Sequence, residues 1–168
     1  MNPSPQALAD LAARVGELLV RRGETVAVAE SSAGGLIAAA LLAVPGASRF
    51  FLGGAVVYTV AARDALLGID ADEMRGLRSS SEPYARLLAA RVRVRLAATW
   101  GLAETGAAGP DGNRYGDPAG HSCLAVAGER ERVRTIRTGT EDRAANMSLF
   151  AAAALRELEE AITSPATL

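Results

Sequence analysis

The chain has no lysine. All 18 of its basic residues are arginine. No Schiff-base lysine, no P-loop lysine and no lysine general base can come from it. One histidine, His121, excludes a multi-histidine metal site, and with a single cysteine, Cys123, no metal site is expected at all. The lone cysteine also excludes an internal disulfide framework and fits a reducing, cytoplasmic compartment. Cys123 reads as a small core residue, and His121 as structural. Aromatic residues make up 4% of the chain and the net charge is −1, so nucleic-acid binding is not expected: phosphates find no basic excess and bases little to stack on. The arginines at 91 and 95, and at 130, 132 and 134, read as solvated faces. No apolar run reaches membrane-spanning length. The opening MNPSPQALADLAARVGELL lacks a basic segment followed by an apolar core, so neither a membrane anchor nor a signal peptide is expected.

What is present is organised around Thr25 to Gly35, TVAVAESSAGG. An apolar run, Thr25–Ala29, predicts a buried strand that ends at Glu30. Ser31 and Ser32 follow, then Ala33, Gly34 and Gly35, and then the helical text Leu36–Leu42. A strand that breaks at Ser-Ser before a helix puts a hydroxyl at the carboxyl end of a sheet, where open α/β sheets bind ligands. The helix start can offer N–H groups to an anion or a developing oxyanion, and Gly34 and Gly35 permit close backbone approach. The plainer reading of the same serines is a helix N-cap.

At 168 residues the chain is sized for a single domain over 1–168, with its core at about residues 4–162. Pro3–Arg22 has apolar residues at helical spacing and stops at Gly23. Phe50–Thr59 reads as a second strand, with Gly53-Gly54 marking a bulge or a close approach. Val60–Leu67 reads as a short helix stopped by Gly68, and Asp70–Leu77 as another turn or two. Ser81 caps a helix that carries Pro83 in its first turn and runs to about Thr99. Trp100–Thr105 is a third strand. Gly106–Gly120, GAAGPDGNRYGDPAG, holds too many glycines and prolines for regular structure, and a loop this long in a compact domain is functional or mobile. His121–Ala127 and Arg132–Thr138 form a hairpin, Glu141–Ile162 a last helix, and the tail from Thr163 frays. Strands alternating with helices, plus one hairpin, define an α/β class with a three-layer α/β/α arrangement and a mixed β-sheet.

Several segments carry a family pattern in order. Ala29–Gly35 stands where the pattern has AESCTGG. Pro45-Gly46-Ala47-Ser48, Phe50-Phe51, Gly53-Gly54 and Tyr58–Arg63 follow the PGSS, aromatic, GG and YSNEAK-like elements. Ser81-Glu82-Pro83, Thr105–Gly112, Asp117–Gly120 and Asp142-Arg143 complete the series. The chain resembles the CinA C-terminal domain family, whose stand-alone members include nicotinamide-nucleotide amidases.

That resemblance implies hydrolysis of the nicotinamide mononucleotide amide, giving nicotinic acid mononucleotide and ammonia, without a cofactor. It implies Ser31 as nucleophile, with Tyr58 and the residue at position 63 as its catalytic partners. Glu30, Ser32, Gly34, Gly35, Thr105, Gly106, Gly109 and Arg143 are the implied substrate-binding residues, and a homodimer is a family-level expectation. Position 63, a lysine in the family pattern, is Arg63, which stays protonated and cannot accept a proton from Ser31. The motif positions held by Ser32, Ala33 and Asp117 also differ from the pattern. Two readings stay open. The chain is an amidohydrolase whose base is Tyr58, assisted by Arg63, or else Glu30 or Glu104. Alternatively, the pocket binds a nucleotide-like small molecule or a partner without turnover.

Overall fold

The computed structural model describes residues 5–164. Strand β1 (Val26–Glu30) lies between β2 (Phe51–Val56) and β3 (Trp100–Ala107) and runs parallel to both. β4 (His121–Ala127) and β5 (Arg132–Arg137) extend the sheet antiparallel, in the order β2-β1-β3-β4-β5. Helices α1 (Pro5–Arg22), α2 (Leu36–Leu42) and α5 (Arg143–Thr163) cover one face, and α3 (Val60–Leu67) and α4 (Glu82–Arg95) cover the other. This is the expected three-layer α/β/α arrangement on a mixed sheet. Among the described residues no helix is long and apolar enough to cross a membrane.

β1 is central and buried at all of its five positions. Val26 and Val28 join the core beneath α1 and α5, whereas Ala27 and Ala29 join the core beneath α4. Small residues on the α4 side allow a close approach. A Cβ added at Gly101 would lie 2.0 Å from the Ala89 carbonyl oxygen. The double glycine of β2 marks a register shift opposite Val26 and Ala27, where Gly53 has φ 150°.

Element ends differ from the expectation for identifiable reasons. β2 stops at Val56 because Thr59 is needed as a cap: its hydroxyl accepts from the Ala62 amide. α4 stops at Arg95. Ala97 turns left-handed, and Thr99 exchanges hydrogen bonds of 3.1 Å with Thr25 at the foot of β1. β3 runs on through Gly106 and Ala107, two residues expected in the loop. Gly106 is there for strand contact, since a Cβ would meet the His121 carbonyl at 2.3 Å. α5 starts at Arg143, after the Asp142 cap, and includes Thr163. Pro3 and the last four residues lie outside the described residues.

The arginine clusters are not simply solvated. Arg132 and Arg134 both reach Glu157, tying β5 to α5. Arg91 donates to the Leu67 and Gly68 carbonyls at the end of α3.

Candidate active site

The chain leaves β1 for β2 on one side and leaves β3 for β4 on the other. The carboxyl ends of β1 and β3 therefore flank the point where strand order reverses, and a crevice opens there. It holds a cavity of about 450 Å³ lined by Ser31 after β1, Thr105 and Gly106 of β3, Tyr58 and Thr59 after β2, and Arg63 of α3. Ser79, Ser80 and Tyr84 close it from the start of α4, and Asn113, Arg114 and Tyr115 from the long loop. A second cavity of about 260 Å³ shares Tyr58, Gly106 and Asn113 with the first, and adds Ser32, Gly109 and Arg143.

Eight of the residues singled out from the sequence thus line one cavity or the other: Ser31, Ser32, Tyr58, Arg63, Thr105, Gly106, Gly109 and Arg143. Glu30, Gly34 and Gly35 line neither. The Glu30 carboxylate accepts from the amides of Ile37, at 3.1 Å, and Ala38, at 2.9 Å. It caps α2 from the strand end, is buried and faces neither cavity. Burial raises its pKa, partly offset by those amides. Gly34 and Gly35, at φ 67° and 98°, build the turn between Ser31 and α2, and a Cβ on Gly34 would strike the Met147 methyl at 2.6 Å. Neither serine caps α2, whose N-cap residue is Gly35.

Glu104 occupies the centre of this turn. It is fully buried and accepts from the Ser31 and Ala33 amides, at 3.1 and 2.8 Å, and from the Ser32 and Ser122 hydroxyls. Burial raises its pKa, against the pull of its donors. Glu104 is a structural clamp joining β1, β3 and β4, not a base in the cavity. Most of the N–H groups expected to hold an oxyanion after Ser31 are already bonded. Among the described residues the Ser32 amide, next to Ser31, is the one left without a partner in that turn.

Arg63 is 6% exposed, not the surface helix residue its position on α3 would allow. Its Nε donates to the Ile69 carbonyl at 3.0 Å. The expected coupling of Arg63 to Tyr58 is not what the fold makes. Tyr58 is exposed, and its hydroxyl accepts from Arg143 at 3.2 Å while the Arg143 guanidinium lies 6.0 Å from the ring centroid. Arg63 acts instead on Tyr84. Burial raises the Tyr84 pKa, and the charge and hydrogen bonding of Arg63 pull it back. Arg143 also donates to the Gly109 carbonyl at 2.7 Å, which fastens the loop to α5.

The residues missed from the sequence sit on α4 and in the loop. Ser80 adopts φ 55°, a costly conformation for a residue with a Cβ. Its amide donates to Thr105 Oγ1 at 3.2 Å, and its carbonyl lies 2.9 Å from His121 Nε2. His121 is accordingly buried in a structural role. Asp117 does not oppose an anion site with a free charge: Arg78 pairs with both of its oxygens, at 2.6 and 3.3 Å, and holds its carboxyl below the usual range. Tyr115 lies between Arg78 and Arg114, 5.2 and 5.1 Å from its ring centroid, and the Arg114 hydrogen bond draws its phenol pKa down. The glycine-rich, proline-rich text marked the loop as functional or mobile. Nothing in it flagged Tyr115 or the Arg78 latch. Among the described residues no group of His, Cys, Asp and Glu could hold a metal ion.

Fold and site together define an α/β domain with a polar crevice at a strand-order switch, a half-buried serine at its mouth and a buried arginine within. The model of the CinA C-terminal domain matches residues 8–162. A CinA-like protein of Gloeobacter violaceus is 47% identical over 78% of this chain and 31% of its own length. Another, from Myxococcus xanthus, is 42% identical over 93% of this chain and 38% of its own length. The chain thus spans about a third of the length of these curated relatives. The crystal structure of the competence/damage inducible protein CihA from Agrobacterium tumefaciens superposes with TM-score 0.87 at 30% identity, covering 98% of this chain and 100% of that one. A CinA superfamily protein from Escherichia coli gives TM-score 0.85 at 25% identity, covering 91% of this chain and 89% of that one. This chain belongs to the CinA C-terminal domain family.

Proposed function

We propose that the chain is an amidohydrolase acting on nicotinamide mononucleotide, with Ser31 as nucleophile. The observation that carries this reading is the half-buried Ser31 at the switch-point cavity, next to an unbonded Ser32 amide. In the reaction Ser31 Oγ attacks the carboxamide carbon, and its proton passes through the Tyr58 hydroxyl to the carboxamide nitrogen. The C–N bond breaks, ammonia leaves, and water then releases nicotinic acid mononucleotide from the serine. The Ser32 amide is the donor for the developing oxyanion. Of the bases open to the sequence, Glu30 and Glu104 are occupied by backbone and serine donors. Tyr58 remains, and it belongs to both cavities. Arg143 and the Gly106–Gly112 loop are the place for the substrate phosphate.

Without a lysine at position 63 the reaction is slow, since a general base contributes on the order of 10²- to 10⁴-fold. The test is ammonia release from nicotinamide mononucleotide. Ser31→Ala is expected to abolish it, and Arg63→Lys to raise it by about 10²-fold or more. Release that persists in Ser31→Ala refutes the assignment.

One observation favours a second reading, binding without turnover. The lining of the first cavity holds two arginines and no carboxylate, amine or imidazole. Ligand-induced stabilisation with no ammonia from the parent or from Arg63→Lys would establish that reading in place of the first.

A further inference from the structure

We infer that the first cavity is a receptor for a planar carboxylate, with Arg63 as the group that receives it. Arg63 is buried, lines the cavity, and forms no ion pair among the described residues. A buried cation without a counter-charge is costly, and the cost is relieved when an anion arrives to pair with it. Nothing else in the cavity supplies that anion, because its only other charged residue is Arg114. Nε is committed to the Ile69 carbonyl and a side-chain hydrogen bond joins the guanidinium to Tyr84, which together orient its plane and leave the remaining terminal N–H groups for an incoming group. A rigid planar fork matches a carboxylate by two parallel hydrogen bonds, a match an ammonium cannot make. The hydroxyls of Ser31, Thr105 and Tyr84 line the same space and can donate to the remaining lone pairs.

A neutral carboxamide fits this environment less well, since its NH₂ would face a guanidinium that only donates. This inference rests on the proposed reading for one element only, the pyridine mononucleotide carried behind the carboxylate. On that reading the site holds the acid, nicotinic acid mononucleotide, more tightly than the amide.

Calorimetric titration of the parent chain tests it with two pairs of probes: nicotinic acid mononucleotide against nicotinamide mononucleotide, and nicotinate against nicotinamide. The acid of each pair is expected to bind about tenfold or more tightly than the amide, the difference expected of hydrogen bonds to a charged group. Arg63→Gln should erase the preference, and Arg63→Lys should reduce it while keeping the charge. Equal affinities, or an amide bound more tightly, overturn the inference and leave ammonia release to decide the amidase reading. A preference seen for nicotinate alone supports the carboxylate receptor and overturns the nucleotide reading. No binding by any probe overturns both. If Arg63→Gln does not fold by circular dichroism, the parent comparison and Arg63→Lys still decide, because a preference unchanged in Arg63→Lys rules out the fork.

Discussion

Replacing Glu104 should unfold the turn that carries Ser31. Its carboxylate gathers the Ser31 and Ala33 amides and the Ser32 and Ser122 hydroxyls. Two of these donors have a second acceptor: Ser31 bonds the Glu104 backbone carbonyl at 3.1 Å, and Ser122 the Thr105 carbonyl at 3.4 Å. Two do not, the Ala33 amide and the Ser32 hydroxyl, and Ser32 is buried. Each buried donor left unsatisfied costs roughly 1–3 kcal/mol, so Glu104→Ala should cost about 2–6 kcal/mol before any cavity is counted. That is a large part of a typical stability of about 5–15 kcal/mol. Glu104→Gln keeps one carbonyl oxygen for the serines but turns an NH₂ toward the backbone amides, so about one donor is lost, roughly 1–3 kcal/mol. Urea unfolding at neutral pH, followed by circular dichroism, measures both. A loss below about 1 kcal/mol for Glu104→Ala, or equal losses for the two variants, would refute the account of Glu104 as a clamp.

Other consequences are open to measurement. Burial raises the pKa values of Glu30 and Glu104, so the folded state favours their protonated forms. Their stabilising contribution is complete below the unfolded value of about 4.3 and is lost as pH rises through the raised folded values, with a slope of up to about 1.4 kcal/mol per pH unit for each group. Urea midpoints should therefore fall over that window, and Glu104→Gln should flatten the fall. A curve of the same slope in the variant would contradict the assignment to Glu104. Arg78 and Asp117 latch the loop, but Arg78 is part exposed, so a double-mutant cycle on the pair should give a coupling of about 0.5–1 kcal/mol that shrinks in high salt. Gly101→Ala puts a Cβ 2.0 Å from a backbone oxygen that cannot swing away, and should cost about 3 kcal/mol or more. Gly76→Ala meets nothing within 4 Å and pays only for its positive φ, about 1 kcal/mol. Thermal or urea unfolding of the two glycine variants separates packing from backbone strain.

The sequence by itself determined the order of elements and most of their signals. Alternation and helical spacing are local properties, and caps such as Ser81 before α4 and Gly68 after α3 act within a few residues. The absence of lysine was likewise final, because no fold can supply a missing side chain. Ser31 at a strand end and the irregular course of the long loop were legible for the same reason. Only the tertiary structure decided what each polar group faces. Glu30 and Ser31 are neighbours in the chain, yet the alternation of a strand and the turn after it send one to the α2 amides and leave the other at the cavity. Glu104 reads as one more strand-end acid until the pairing of β1, β3 and β4 surrounds it with donors 18 to 73 residues distant. Arg63 reads as a partner of Tyr58 until the packing of α3 against α4 buries it beside Tyr84. A side chain's partners depend on strand order and layer packing, which short-range spacing does not encode, and those partners determine whether a charge clamps the fold or waits for a ligand.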